Sequence, residues 1–392
     1  MNLKLFVRRK IRNTENTANA KKKITGAFSQ TEKKQLMVYS EQNGFYKYFS
    51  GIIDYICEHS DIVIHYVTSD PDDLIFKDER EQIKAYYVAS DRYLIPLFMK
   101  LDADMCLMTM PDLEKYHIKR SRVRDDVEYV FVCHGIGSIT TYRRGALDWF
   151  DTVLCPNADQ EKEIRAYEKL YGTPEKLLVE TGYPLIDQMI REYQNTEHEK
   201  HDVPQIIIAP SWQKDNIIDM CLEELLDGLL KSGFQIIVRP HPQQVRHEPE
   251  RFEMLKTRYN DYGNVEIETD FSKNRNVFES DILITDWSGI AFEYAFVTRK
   301  PVVYIDTPMK VMNNDYEQIG IEPLNKTIRT SIGEVIPVEQ VSEARQIIEK
   351  MIDSKDYYEE KITQELEKHL YNVGRSSEIS GRYIIKALKK RI

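Results

Sequence analysis

Short apolar runs recur along this chain, separated by polar turns and stretches with helical spacing. Residues 36–39, 62–67, 105–108, 130–133 and 152–155 are runs of strand length, and 88–89 and 179–180 read as shorter ones. The second half repeats the pattern at 205–208, 234–238, 265–267, 282–285 and 301–305. Continuous apolar runs without strict alternation fit strands buried on both faces, and helical patterns between them make the sheets parallel. The spacing predicts helices over 49–57, 161–171 (capped by Asn157), 219–230 and 290–297, and over 341–352 and 357–390 at the carboxyl end. Residues 277–279 read as a short turn. Gly182, before Tyr183 and Pro184, supplies a tight bend.

Length and composition turn this pattern into a domain plan. At 392 residues the chain is long enough for two or three domains, and at 42% hydrophobic it can bury a full core. Two α/β halves are predicted, 34–193 and 205–350, joined by a polar linker at 194–204 and followed by helices over 351–392. Segment 1–33 stands apart: Leu3, Leu5, Phe6, Val7 and Ile11 are interleaved with Lys4, Arg8, Arg9, Lys10 and Arg12. Such a segment suits an anionic membrane surface, with a solvated basic tail as the alternative. Lys389, Lys390 and Arg391 form a second small basic patch. The net charge of -10 argues against nucleic-acid partners. Five cysteines without CxxC spacing suggest reduced thiols and a cytoplasmic setting, peripheral to the inner membrane face if the basic segment binds lipid. No apolar run approaches the ~20 residues of a membrane span, and no signal core of ~7–15 residues opens the chain.

Candidate chemistry collects where predicted strands end. The run 280–306 reads strand, turn, helix, strand. Its turn places Asp286, Ser288 and Gly289 at a strand's carboxyl end and a helix's amino end, with Glu293 one helical turn on. Free N–H groups and the helix dipole favour an anion there, such as a diphosphate; a plain helix cap is the alternative. His134-Gly135 follows the strand at 130–133. An imidazole at that edge is placed to act as a base near neutral pH, or only to hold its loop. Arg143 and Arg144 follow, as phosphate holders or a solvated basic loop. Ser211 and Trp212 follow the strand at 205–208. Arg239 and His241, in Arg-Pro-His-Pro, can donate to phosphate oxygens; an Arg–carboxylate pair beside a structural histidine is the alternative. His198 and His201 in the linker match no metal-ligand spacing, and no metal is expected.

The succession HGxG, GYP with Asp187, APSW, RPHP, then SDILITDWSG with FEYA and KPVVY, resembles the CDP-glycerol glycerophosphotransferase family of teichoic-acid and capsule polymerases. The resemblance spans about 130–306. It implies a GT-B-like α/β fold: two Rossmann-like domains with a cleft between them, 34–193 serving the acceptor and 205–350 the donor nucleotide. It also implies transfer of glycerol phosphate from CDP-glycerol, or a similar CDP-alditol, to a hydroxyl of a lipid-linked or glycan acceptor, releasing CMP. No cofactor is implied. By this resemblance His134 is the base and Gly135, Arg143 and Arg144 lie on the acceptor side. Arg239 and His241 contact the donor phosphates, Ser288 and Gly289 hold the diphosphate, and Asp286 and Glu293 support that loop or the donor. Ser211 and Trp212 lie near the nucleotide. The chain departs from the family's HGTP and from its paired serines, where Gly289 takes the second place. A nucleotide-sugar glycosyltransferase or UDP-sugar epimerase, or a non-catalytic membrane-associated binding protein, are the other readings of such a scaffold.

Overall fold

The structure is a computed structural model and describes residues 34–88, 91–199, 201–271 and 274–391. The basic segment 1–33, and Ala89 of the predicted strand at 88–89, lie outside them. The chain divides into two compact units. The first holds the residues up to Gly135 with Tyr142–Asp187 and Tyr371–Ile392; the second holds Ile136–Thr141 and Gln188–Leu370.

The first unit carries seven strands: β1 (Lys34–Ser40), β2 (Ile64–Thr68), β3 (Ile83–Tyr87), β4 (Ala103–Met108), β5 (Glu128–Val132), β6 (Thr152–Cys155) and β7 (Leu177–Glu180). They lie in the order β3-β2-β1-β4-β5-β6-β7, every neighbouring pair parallel. The second unit carries β8 (Gln205–Ile208), β9 (Gln235–Val238), β10 (Val265–Ile267), β11 (Ile282–Thr285), β12 (Val302–Ile305) and β13 (Gly333–Ile336). Their order is β10-β9-β8-β11-β12-β13, again all parallel. Each sheet steps outward for three strands and then reverses beside the first, the Rossmann arrangement. The reversal lies between β1 and β4 in one sheet and between β8 and β11 in the other. Central strands β8, β11 and β12 are buried at every residue, which is why they read as unbroken apolar runs.

Differences from the predicted elements have local causes. β3, an edge strand, is half exposed, so its lysine and tyrosines disguise it. Edge strand β13 contains a glycine and a glutamate and shows no apolar run. The turn at 277–279 is part of a helix, Arg275–Glu279. The predicted helix over 219–230 is two, broken at Cys221. The one over 357–390 is also two, Lys355–His369 and Ser376–Lys389, interrupted where Asn372 and Gly374 adopt positive φ.

The last helix belongs to the first unit rather than to a separate carboxyl-terminal block. Ile384, Ile385 and Leu388 complete a core with Phe49, Ile52, Ile53 and Ile56 of the helix Tyr46–His59. Buried Asp187 caps it, accepting from the N–H groups of Gly374 (2.6 Å) and Ser376 (2.7 Å). Arg391 donates to the carbonyls of Asp104 (2.9 Å) and Asp126 (2.6 Å), so one member of the terminal basic patch is pinned while Lys389 and Lys390 are exposed. The five cysteines are unbonded thiols.

Gly182 has φ +86°, and a Cβ there would fall 2.2 Å from the Tyr371 carbonyl oxygen. Gly172 has φ +63° with nothing within 4 Å. Gly172→Ala is therefore expected to cost only backbone strain, about 1 kcal/mol, whereas Gly182→Ala costs about 3 kcal/mol or more because a backbone must also move. Urea denaturation midpoints of the two variants check this; equal losses would show that the contact with Tyr371 is unimportant.

Candidate functional site

In the second unit, the loops after β8, β11 and β12 are tied into one polar cluster at the strands' carboxyl ends. Asp286, 1% exposed, is its centre. One carboxylate oxygen accepts from the N–H of Ser211 (2.7 Å) and of Trp287 (2.6 Å). The other accepts from the N–H of Ile217 (3.2 Å). The carboxylate thus binds the loop after β8 to the turn after β11, across the point where the sheet order reverses. Trp287 continues the network, donating from Nε1 to the Thr307 carbonyl (2.8 Å) after β12. Arg329 lies over the Trp287 ring at 4.1 Å and donates to Asp306 (2.7 Å).

Several polar groups in this cluster have no protein partner among the described residues. Ser211 Oγ and Thr307 Oγ1 are buried and make no hydrogen bond. The Lys310 ammonium makes no hydrogen bond or ion pair, and burial holds it below its ordinary value, with Asp286 opposing. The helix Ile290–Thr298 begins at Gly289 without a side-chain cap; Ala291 and Phe292 donate to the Ser288 and Gly289 carbonyls, which leaves the amides of Ser288, Gly289 and Ile290 available. Ser288 is half-buried and Gly289 exposed at that end. Gly289 has φ -62°, and a Cβ there would meet nothing within 4 Å, so the backbone does not require glycine. Half-buried Glu293 lies in the first turn. Unsatisfied hydroxyls, an unpaired cation and open helix amides are together suited to a phosphate-bearing anion.

The loop after β9 flanks this cluster. His241 caps the helix Pro242–His247: its Nδ1 accepts from the N–H of Gln243 (3.1 Å), and Gln244 Oε1 accepts from the His241 N–H (3.2 Å). With Nδ1 an acceptor, the neutral ring carries its proton on Nε2 and is a donor there. The half-exposed Trp212 ring lies near-parallel to His241 and to His247, centroids 5.9 Å away in each case. Arg239 is the candidate phosphate ligand already engaged by protein: it donates to Glu268 at 2.6 Å and lies over Phe271. The Arg–carboxylate alternative left open by the sequence describes its contacts.

In the first unit, His134 follows β5 by two residues. Its half-buried ring is surrounded by Tyr142, Phe45, Tyr48 and Phe131, with centroids 5.4–6.1 Å away. Gln160, held by the Asn157 cap, donates to the Gly135 carbonyl (2.8 Å). A Cβ at Gly135 would meet nothing, so one side of the histidine loop is open. Arg143 pairs with Asp112 (3.0 Å), and Arg144 lies over the Tyr171 ring at 4.1 Å. In the second unit, Ser138 N–H donates to Asn325 Oδ1 (2.5 Å), while the Thr140 carbonyl accepts from Met312 and Asn313. His198 and His201 contact the Tyr193 carbonyl and Glu279. Among the described residues no three His, Cys, Asp or Glu side chains form a metal-ligating group. No helix among them is long and apolar enough to cross a membrane.

Lys310 and Thr307 are the site residues that sequence reasoning missed. Their signal was present, since both follow the strand KPVVYID at the same sheet edge as Asp286. They lie in the second turn of the β-α-β unit, where no helix cap or glycine marks the site.

Known proteins share both sequence and fold. The chain is 26% identical to the teichoic acid poly(glycerol phosphate) polymerase of Bacillus spizizenii over 47% of this chain and 50% of that one. It is 24% identical to the teichoic acid ribitol-phosphate polymerase TarK of Staphylococcus aureus over 66% of this chain and 52% of that one. It therefore spans about half the length of these curated relatives. The fold matches the wall teichoic acid polymerase TagF, in a histidine-to-asparagine variant soaked with CDPG, with TM-score 0.60 and 15% identity over 100% of this chain and 99% of that one. Residues 33–386 match the family described as CDP-glycerol:poly(glycerophosphate) glycerophosphotransferase, and the chain belongs to that family.

Proposed function

We propose that this protein transfers glycerol phosphate, or a related alditol phosphate, from a CDP-activated donor to an acceptor hydroxyl and releases CMP. The observation that carries the reading is the Lys310 ammonium, without a hydrogen-bond partner and within the field of Asp286, whose turn leads into the uncapped helix at 290, in a chain of this family. A diphosphate supplies the negative oxygens that Lys310, the helix amides at Ser288 and Gly289, and the Ser211 hydroxyl lack. His241 Nε2–H is a further donor, while Trp212 offers a ring for the nucleotide and Glu293 an acceptor for its polar groups. Asp286 acts by holding the loops. Arg239, neutralised by Glu268, contributes less than the sequence suggests.

The chemical step is an in-line displacement. His134 takes the proton of the acceptor hydroxyl as its oxygen bonds to the alditol-bearing phosphorus. The bond from that phosphorus to the bridging oxygen breaks, and CMP leaves with the electron pair. Cationic and N–H groups that stabilise the charge spread over the phosphoryl oxygens lower the barrier. Gly135, Arg143 and Arg144 belong to the acceptor side. The acceptor is a lipid-linked or glycan hydroxyl, which accords with the basic segment 1–33 and exposed Lys389 and Lys390 meeting an anionic inner membrane face.

CMP release from CDP-glycerol and CDP-ribitol, with acceptor lipid present, tests this reading against UDP-N-acetylglucosamine as control. Release from a CDP-alditol is expected, with a loss of about 10²–10⁴-fold in His134→Ala. Turnover of the UDP-sugar alone would overturn the assignment. Lys310→Ala gives a second test. Removing an unpaired half-buried cation is expected to leave unfolding stability unchanged or raise it. Donor kcat/KM should nevertheless fall about 10–100-fold, the loss of one charge-assisted contact. A stability loss with unaltered donor kinetics would show Lys310 to be structural.

A further inference from the structure

A cavity lies at the opposite edge of the same sheet from the Asp286 cluster, by the amino ends of β11 and β12. It has a volume of about 520 Å³ and is lined by Tyr193, Arg299, Lys300, Lys355 and Glu359, with Ile190 and Met351 among its apolar walls. All belong to the second unit.

Arg299 is the unusual group. It ends the helix Ile290–Thr298 with φ +60°, the left-handed conformation that glycine adopts without strain. Its guanidinium makes no hydrogen bond or ion pair among the described residues, and Nη1 is buried. Burial pushes its affinity for the proton down, while the carboxylates of Glu359 and Glu367 act on it only through space. Its neighbours are satisfied. Lys300 donates to the carbonyls of Phe278 (3.1 Å), Glu279 (3.3 Å) and Ser280 (2.8 Å). Asp281 accepts from the Gln205 N–H (2.9 Å).

Two further features point the same way. The 15-residue helix Lys355–His369 starts at the cavity and has no side-chain cap. Lys355, its first residue, is exposed and has no partner among the described residues. An unpaired guanidinium, a free ammonium and an open helix amino end therefore converge on one cavity with an apolar wall. We propose that this cavity binds a small phosphate ester, its phosphate on Arg299 and Lys355 and its carbon skeleton against the apolar wall. Inorganic phosphate fills only the polar half, so an ester binds more tightly. Glu359, on the rim, competes for Arg299 and weakens binding.

The test is isothermal titration of the full chain with inorganic phosphate and with glycerol 3-phosphate, in a Lys310→Ala background that weakens the proposed donor site. Saturable binding of both is expected, tighter for the ester. Arg299→Gly suits the left-handed backbone, so it keeps or raises stability while weakening binding at least about tenfold. Glu359→Gln should tighten binding. The proposal fails if neither ligand binds saturably in this background, or if Arg299→Gly binds them unchanged. It also fails if Glu359→Gln lowers stability without tightening binding, since Glu359 would then be the partner of Arg299. None of these outcomes depends on CMP release, so the cavity and the donor site stand or fall separately.

Discussion

In the second unit, two neighbouring parallel strands send the chain on to opposite sides of the sheet order, and one buried carboxylate keeps their loops together. Asp286 accepts three main-chain N–H groups, from the loop after β8, from its own turn and from the start of the following short helix. Each of those donors would otherwise be buried without an acceptor, at a cost of about 1–3 kcal/mol apiece. These contacts take three of the carboxylate's roughly four acceptor positions. Lys310 feels its charge but makes no hydrogen bond to it. One residue thereby builds the loop geometry and leaves a cation nearby still able to accept an anion.

How other buried or half-buried cations are treated makes Lys310 and Arg299 informative. Lys176 pairs with Glu168, Arg239 with Glu268 and Arg329 with Asp306, while Lys300 is spread over three carbonyls. Desolvating a charge without such compensation is expensive, so folds seldom retain it idle. Lys310 and Arg299 lie at the two ends of the strands of one sheet. The first lies within the field of Asp286, whose turn opens the helix at Gly289, and the second lines a cavity with Lys355, where another uncapped helix starts.

Much of the fold was legible because its central strands are buried on both faces. Residues 206–208, 282–285 and 302–305 announce themselves as apolar runs, and the lengths between them enforce parallel crossovers. The edge strands β3 and β13 were hidden by the polar residues that solvent permits there. At the candidate site, the strand-end rule located His134, His241, Asp286 and Ser288 in loops at the carboxyl edges of their sheets. It could not distinguish a charge already neutralised from one still available. Arg239 and Lys310 follow strands in similar ways, and only the position of Glu268, 29 residues further along, separates them. Likewise the imidazole of His241 is a helix cap through one nitrogen and a donor through the other, a division that depends on the Gln243 amide.

The return of Ser376–Lys389 to pack on Tyr46–His59 has a consequence for biosynthesis. A ribosome delivers the second unit's whole sheet before it delivers the helix that finishes the first unit's core. The earlier-made sheet must wait in the nascent chain with Phe49, Ile52 and Ile56 incompletely covered, while the later-made one can close at once. Folding order thus runs against translation order, and the exposed interval is where a chaperone would find its grip.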